Sequence, residues 1–275
     1  MSAESGGESF TEYIQHHLTF WNAPLTHAGG LASVHIDTLI MSCVLGGIFF
    51  VWFWWFARRA TSGVPGKGQA FVELALEFVD GQVKDAWHGS RKFLGPMALT
   101  IFFWVFVMSL MDVLPVDGIP TAAEATGAKY FRPVPTADVN VTFAMSLSVL
   151  VLTIFFGFRA KGVRHYFRDV VSAPFTAKNV FMKVLLAPFN ILMFVIEMIT
   201  QPISLALRLF GNIFAGDLLF MLVAGLMTHF LSLWYPLGIL GYAVWSIFEM
   251  LIIMIQAFIF MYLSVTYIAM AQQHH

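Results

Sequence analysis

Long runs without a charged side chain dominate this sequence and restrict what it can fold into. Three such runs, each of about 20 residues, cover residues 38–57, 93–111 and 139–158. About 20 apolar residues in a helix cross the hydrocarbon core, and an open strand in lipid would leave its backbone unpaired. Residues 184–270 have room for two more helices, with a turn at 234–238. The sequence therefore predicts an all-α integral membrane protein of about five transmembrane helices, ending in a long tilted helical hairpin.

Composition excludes several classes of protein. Charged residues make up 11% of the chain, against roughly 25% in an ordinary soluble domain, and the formal net charge is −1. A near-neutral chain cannot hold a phosphate backbone by charge, so no nucleic-acid partner is expected. Cys43 is the only cysteine, which excludes an intrachain disulfide and a thiolate metal cage. No cofactor and no metal ion are predicted.

One glycine-rich segment resembles a nucleotide-binding loop only superficially. Residues 63–68 read Gly-Val-Pro-Gly-Lys-Gly. A phosphate-binding loop needs Ser or Thr directly after its Lys, and here Gly68 follows Lys67. We therefore expect this chain to bind no nucleotide.

Basic residues gather in two of the predicted loops and set the expected orientation. Loops rich in Lys and Arg stay on the cytoplasmic side of a membrane. The loops after spans one and three are rich in them, whereas the loop after span two has few. We therefore expect the N-terminus outside and the C-terminus in the cytoplasm, which agrees with five spans. In chain order, the three loops hold Arg58, Arg59, Lys67, Lys84, Arg91 and Lys92, then Lys129 and Arg132, then Arg159, Lys161, Arg164, Arg168, Lys178 and Lys183.

The expected organisation is a single membrane domain over residues 1–275. No cleavable signal peptide is expected, because the first 30 residues lack Lys, Arg and an apolar run. A cytoplasmic amphipathic helix, on the membrane surface or against a partner, is predicted where Phe71, Leu74, Ala75, Phe78 and Val79 recur at helical spacing. The segments are an external N-terminus at 1–35, span one at 36–58, the amphipathic segment at 67–92, span two at 93–114, an external loop at 115–138, span three at 139–158, and the hairpin at 184–230 and 238–270.

Ionisable side chains within the last two spans are the strongest functional signal. A charge at the middle of a span costs at least about 2.5–3.5 kcal/mol, so such a residue is a functional candidate by default. The first three spans have no charge in their cores, which confines the expected polar chemistry to the hairpin. The candidates are Glu197, Arg208, Asp217 and Glu249, accompanied by the amides Gln201, Asn212 and Gln256.

Helical periodicity sorts these candidates into faces and depths. Glu197, Gln201, Ser204, Arg208 and Asn212 follow steps of three or four and share one stripe, although Pro202 interrupts the helix. Asp217 lies about 180° around the helix from Arg208. In an antiparallel hairpin, Asp217 and Glu249 fall at one level near the outside, and Arg208 and Gln256 at a deeper one. Two neighbouring carboxyls in a low dielectric should share a proton.

Structural roles remain alternatives for each candidate. Arg208 could pair with a carboxylate only to hold helices together, and Glu197 could pair with Lys183 or extend to the membrane surface. Asn212 and Gln256 could be hydrogen-bonding links between helices. His229, near the outer turn, is a proton-path candidate that could equally be an interface histidine.

Three stretches of the chain resemble one family. Leu207-Arg208-Leu209-Phe210-Gly211-Asn212, which continues Ile-Phe-Ala-Gly-Asp217, resembles subunit a of the F-type ATP synthase. The stretch Ile255-Gln256-Ala257-Phe258-Ile259-Phe260 resembles the final helix of that family, and Glu12-Tyr13-Ile14-Gln15-His16-His17-Leu18 resembles the start of its bacterial members. The resemblance covers nearly the whole chain.

The resemblance implies a rotary mechanism. Arg208 would be the essential arginine that faces a carboxylate of the rotating c-ring, with Asn212 and Gln256 near it. Asp217 and Glu249 would line an outer half-channel, where many relatives carry Glu and His instead. Glu197 would line the inner half-channel, but the family often has this Glu three residues earlier, at the position of Phe194.

The resemblance also implies partners and a location. The partners would be the c-ring, the peripheral-stalk subunit b, other ATP synthase subunits and membrane lipid. The location would be the bacterial inner membrane, crossed several times. The chain would do no bond chemistry itself.

The residues alone leave two other functions to consider. A stand-alone ion channel or secondary transporter is the alternative, although such transporters often show inverted repeats, and we find no repeat. A haem-binding membrane subunit would need pairs of histidines within its spans, and spans two and three contain none.

Overall fold

The computed structural model describes residues 22–24, 33–87, 89, 92–113, 134–172, 175, 180–229 and 235–272. Helices account for nearly all of them. Two three-residue strands, β1 (Asn22–Pro24) and β2 (Ser33–His35), pair antiparallel ahead of the first helix. The helices are α1 (Ile36–Arg58), α2 (Lys67–Ala86), α3 (Leu94–Leu110), α4 (Val139–Lys161), α5 (Val163–Ser172), α6 (Val180–His229) and α7 (Tyr235–Gln272), with short 3-10 turns at Met111–Val113 and Pro135–Ala137.

The predicted all-α membrane fold is confirmed. Within the described residues, five helical segments are long and apolar enough to cross a membrane. Two of them exceed the length that a bilayer requires, because about 20 residues suffice. The segments are Thr38–Arg58, Leu94–Val113, Val139–Lys161, Phe181–Phe220 and Gly238–Gln272.

The chain divides into two compact units, and most long helices contribute to both. The first unit consists of Met1–Phe49, Phe106–Val141 and Phe210–Ile255. In it, the Asp138 carboxylate accepts a hydrogen bond from the Asn140 backbone N–H at 2.9 Å, which caps the start of α4. Thr38 donates to the same carboxylate at 3.4 Å, so one buried side chain ties the start of α1 to the start of α4.

The second unit consists of Phe50–Val105, Thr142–Leu209 and Gln256–His275. Its amphipathic helix, α2, buries one stripe within the chain, formed by Val72, Val79 and Val83. Leu74 is 67% exposed. The predicted contact of the apolar face with the membrane surface or a partner stays a prediction.

Aromatic contacts hold α2 beside other helices of the same unit. The Phe71 ring lies 5.8 Å from that of Trp52 and 6.4 Å from that of Phe103. The Phe78 ring lies 5.9 Å from that of Phe102 and 5.9 Å from that of Phe258. These edge and tilted geometries are the favourable ones for ring pairs. Phe71 and Phe78 therefore flank the buried valine stripe.

A glycine ends α4 and starts α5. Gly162 has φ of +77°, a conformation that side-chain-bearing residues rarely adopt. Its N–H donates to the Phe158 carbonyl, and its own carbonyl accepts from the Tyr166 N–H. The chain therefore turns within one residue from the end of a span into a short helix.

Several predicted segments lie outside the described residues. These include most of the external N-terminus, residues 115–133 of the external loop with Lys129 and Arg132, and Trp234 of the predicted turn at 234–238. The other four residues of that predicted turn are helical, because α7 already begins at Tyr235. Helix α6 extends to His229, but the side chain of that residue also lies outside what the structure describes.

Candidate functional site

Three carboxyl groups from separate parts of the chain meet in the first unit. Asp112 follows α3 in the 3-10 turn Met111–Val113, Asp217 lies on α6, and Glu249 lies on α7. Asp112 and Glu249 are almost completely buried, with 2% and 1% of their surfaces exposed. We call these three residues the carboxyl cluster.

A glycine on α6 allows this close approach. A Cβ atom placed on Gly216 would lie 3.0 Å from Glu249 Oε1 and 3.1 Å from Asp112 Oδ2. Any larger side chain would therefore push against both carboxyls. Because Gly216 precedes Asp217, the same turn of α6 supplies one carboxyl and leaves space for the other two.

The three acids of the carboxyl cluster lie close enough to interact. The Asp112 carboxyl is within hydrogen-bonding reach of the carboxyls of both Asp217 and Glu249. No N–H or O–H donor of the described residues reaches either oxygen of Asp112 or Oε1 of Glu249. Two carboxyls can form a hydrogen bond only when one of them is protonated, and buried like charges repel. Simultaneous ionisation of all three acids is therefore unfavourable, and a proton shared within the cluster would relieve the repulsion.

Asp112 is a functional candidate that the sequence patterns did not single out. It stands directly after the uncharged run 93–111, where its charge marks the end of that run. The expectation that the polar chemistry is confined to the final hairpin is therefore wrong. A carboxyl directly at a span end was the available signal, because burying it there is as costly as burying it in the hairpin.

Aromatic residues with polar atoms accompany the carboxyl cluster in the first unit. The Tyr242 ring packs against Phe220 with centroids 5.0 Å apart, and it lies within electrostatic range of Asp112. The Trp245 Nε1 is buried, and no described residue offers it a hydrogen-bond partner. Buried polar atoms of this kind suit contact with ordered water.

Arg208 is exposed on α6 in the second unit. The neighbouring Leu205 and Leu209, about 60° and 100° around the helix from Arg208, are fully buried, while Leu207 is exposed like the arginine. Among the residues that the structure describes, no carboxylate forms an ion pair with the Arg208 guanidinium. A permanent positive charge is therefore exposed on a membrane-spanning helix with no counter-charge among the described residues.

Two amides named by the sequence carry buried, unpaired N–H groups. The Asn212 side chain on α6 is half-buried, and Gln256 on α7 is buried. No acceptor in the described part of the chain lies within hydrogen-bonding distance of Asn212 Nδ2 or Gln256 Nε2. Hydrogen bonds that link helices within this chain therefore do not account for these two N–H groups.

Glu197 is exposed on α6 and forms a local contact. Gln201 Nε2 donates to Glu197 Oε1 at 2.9 Å, one helical turn away. The predicted alternative partner, Lys183, is also exposed, and no described ion pair joins the two. The carboxylate therefore remains at the surface of the second unit.

Tyr166 of α5 is the nearest titratable neighbour of Glu197 that the structure identifies. Its ring lies 6.0 Å from that of Phe194, which is three residues before Glu197 on α6. Burial raises the pKa of Tyr166 above its ordinary value, and the negative charge of Glu197 raises this pKa further. The phenol therefore keeps its proton at neutral pH.

Comparison with known proteins places the chain in a family. The model of the family "ATP synthase A chain" matches residues 39–269. The chain is 47% identical over 268 residues to ATP synthase subunit a of Coxiella burnetii, covering 96% of each chain. It is 46% identical over 274 residues to ATP synthase subunit a of Chromobacterium violaceum, covering 96% of this chain and 98% of the relative. It is 44% identical over 272 residues to ATP synthase subunit a 1 of Methylococcus capsulatus, covering 99% and 98%. This chain therefore belongs to the ATP synthase A chain family.

Proposed function

We propose that this chain is the stator subunit a of a rotary ATP synthase and that it carries protons to and from the carboxylates of a rotating c-ring. The observation that carries the proposal is the exposed, unpaired Arg208 on an apolar span. A charge at that position is costly in lipid unless a counter-charge faces it. Because no described residue of the chain supplies one, a neighbouring subunit is its source.

The carboxyl cluster serves as the outer half-channel. A relay needs groups that accept and release protons within hydrogen-bonding reach of one another. Asp112, Asp217 and Glu249 meet this requirement without a histidine. Protons that enter from the outside pass through the cluster and neutralise a ring carboxylate. The neutral carboxyl then enters lipid cheaply, whereas its charged form could not.

When the ring has completed its rotation, Arg208 promotes release of the proton from the ring carboxyl. It also prevents leakage of protons between the two half-channels. Its positive charge favours the ionised form of an approaching ring carboxyl, which gives up its proton to the inner half-channel. A guanidinium cannot itself lose a proton, so it cannot pass one between the half-channels. Asn212 and Gln256 offer their unpaired N–H groups to the ring carboxylate during this exchange. The membrane potential contributes about 2.3 kcal/mol per charge per 100 mV.

Glu197 lines the inner half-channel in this proposal. Its carboxylate is exposed on the second unit and is held by Gln201. Tyr166 keeps its proton beside it and can donate a hydrogen bond to a carboxylate or a water. His229, which the sequence named as a further proton-path candidate, would lie near the outer turn.

The proposal also specifies where the chain lies and which subunits it binds. The chain lies in the bacterial inner membrane with its N-terminus outside and its C-terminus in the cytoplasm, as the distribution of basic loops predicts. It assembles with the c-ring, the peripheral-stalk subunit b and other ATP synthase subunits. It is not catalytic on its own, and ATP is made by other subunits of the complex.

Cysteine substitution on α6 tests the proposed division between ring-facing and channel-facing residues. Cys43, the only native cysteine, is first replaced by Ser. Asn212→Cys should form crosslinks to the ring helix that carries the carboxylate. Asp217→Cys should react with a water-soluble thiol reagent added from the outside, and Leu218→Cys, the exposed apolar neighbour, is the control that should not. Free reaction at 212 together with crosslinking at 217 would contradict the assignment.

A further inference from the structure

Helix α5 has an apolar ridge that the described residues of the chain leave exposed. The ridge consists of Val163, Phe167 and Val171, which are four residues apart and therefore share one face. Their exposures are 60%, 58% and 43%. For a ten-residue helix, this is an unusual amount of apolar surface to leave open, because exposed apolar patches normally mark contact with a partner or a membrane.

Two arginines lie alongside this ridge. Arg164 and Arg168 each follow a ridge residue by one position, which places them about 100° around the helix from it. Both side chains are exposed. The third basic group nearby, Lys161, is neutralised by an ion pair with Asp169 at 3.0 Å. The free positive charge of α5 is therefore concentrated along one edge of the ridge.

Contacts within the second unit fix which way α5 faces. Tyr166 packs against Phe158 with ring centroids 4.5 Å apart, and a Cβ atom at Gly157 would lie 2.8 Å from its ring. Buried Asn190 of α6 donates to the Val171 carbonyl at 2.9 Å and so holds the far end of the helix. These contacts hold the flank of α5 that carries Tyr166, about 100° around the helix from Phe167, and leave the ridge exposed.

The chain connectivity places α5 where spans leave the membrane. The span in α4 ends at Lys161, and Gly162 turns the chain directly into α5. The next span begins at Phe181. A short amphipathic helix at this depth can insert its apolar side among the acyl chains while its arginines remain at the level of the headgroups.

We propose that α5 is an interfacial helix that binds anionic phospholipids, with its ridge in the lipid and Arg164 and Arg168 on the lipid phosphates. Charge complementarity selects this occupant. Apolar surface alone would fit any lipid or a protein, whereas paired guanidinium groups beside it match a negatively charged headgroup. This inference does not depend on proton transport.

Fluorescence quenching in reconstituted vesicles tests where the ridge lies. The full chain, with Cys43 replaced by Ser and in the membrane assembly from which it is isolated, carries an environment-sensitive fluorophore at Phe167→Cys. The matched control is His165→Cys, two residues away on the opposite face of α5. A nitroxide-labelled phospholipid should quench the probe at 167 at least about twofold more strongly than the probe at 165, and aqueous iodide should show the reverse preference.

The lipid retained by the same assembly tests whether the positive charges of Arg164 and Arg168 bind anionic headgroups. The assembly is reconstituted in vesicles of phosphatidylcholine with about one third phosphatidylglycerol and then purified again. The lipid that it retains should be richer in phosphatidylglycerol than the vesicles. Arg164→Gln with Arg168→Gln should reduce that enrichment, by about fivefold for each arginine removed. Lys67→Gln with Lys92→Gln, two exposed basic residues elsewhere in the second unit, should not.

Three results would overturn the proposal. Stronger iodide quenching at 167 than at 165 would place the ridge in water. Protection of 167 from both quenchers would mean that a protein subunit covers the ridge. Equal phosphatidylglycerol retention in the arginine variant and the unmodified chain would show that Arg164 and Arg168 do not select the lipid. None of these results bears on proton transport, so a failure here leaves the proposed function untouched.

Discussion

The carboxyl of Asp112, just after α3, lies beside the carboxyl of Glu249 on α7, and Gly216 of α6 faces both. A Cβ atom added to Gly216 would be 3.1 Å from Asp112 Oδ2 and 3.0 Å from Glu249 Oε1. Two acids so close in a buried site depend on each other's protonation. The negative charge of one would therefore disfavour that of the other, and Asp217 joins them from the same turn of α6 as Gly216.

Removing one acid from the carboxyl cluster should slow proton transport without preventing assembly. Asp112→Asn and Glu249→Gln preserve shape but cannot release a proton at neutral pH. We expect each to lower the rate of ATP-driven proton pumping by at least about tenfold, because relay groups contribute at least that much to proton transfer. Asp85→Asn, an exposed carboxylate on α2, is the control and should pump normally.

The double variant tests whether the two acids act together. If Asp112 and Glu249 share a proton, combining their substitutions should cost little more than the larger single effect, because coupled sites are not additive. Independent effects, which multiply in the double variant, would show that the two carboxyls belong to separate steps.

Adding one methyl group at Gly216 should disturb the same cluster. In Gly216→Ala the new Cβ atom would press on both carboxyls, so we expect slower pumping even though alanine favours a helix by up to about 1 kcal/mol over glycine. Gly241→Ala on α7 is the control, because nothing lies within 4 Å of its Cβ position. Equal pumping by the two alanine variants would argue against a tightly packed cluster.

Asn190 should stabilise the segment that joins α5 to α6. Its side chain is 1% exposed, accepts from the Phe175 N–H at 3.1 Å and donates to the Val171 carbonyl at 2.9 Å. Asn190→Ala leaves these backbone groups unpaired, at a cost of about 1–3 kcal/mol each where they stay buried. We expect faster amide hydrogen exchange over residues 166–175. Ile191→Ala, an exposed neighbour, should leave the exchange rate unchanged, and equal rates in both variants would refute the role of Asn190.

Helix content and span number follow from local properties of the sequence. Uncharged runs of about 20 residues can hardly be anything but membrane helices. Within its described residues, the structure has five helical segments long and apolar enough to cross a membrane. Helical register within the hairpin likewise predicts that Asp217 and Glu249 lie at one level, and both are neighbours of Asp112 in the structure.

Contacts between helices that are distant in the sequence could not be predicted from these local properties. Asp112 is about 100 residues from Asp217 along the chain, and periodicity within one helix carries no information on which other helix it meets. In α2, too, periodicity predicts the apolar positions but not which of them this chain buries. Val72 and Val83 are buried, whereas Leu74 is exposed.

Arg208, in the proposed mechanism, faces a carboxylate of the rotating ring and is indispensable for coupled transport. The decisive measurement is ATP-driven proton pumping by inverted membrane vesicles that carry Arg208→Ala. Lys92→Ala, an exposed basic residue in a loop, is the control for loss of a positive charge. We expect Arg208→Ala to assemble normally and to show no pumping above vesicles that lack the complex, while Lys92→Ala pumps at the unmutated rate. Pumping by Arg208→Ala near the unmutated rate would contradict the proposed role of this arginine.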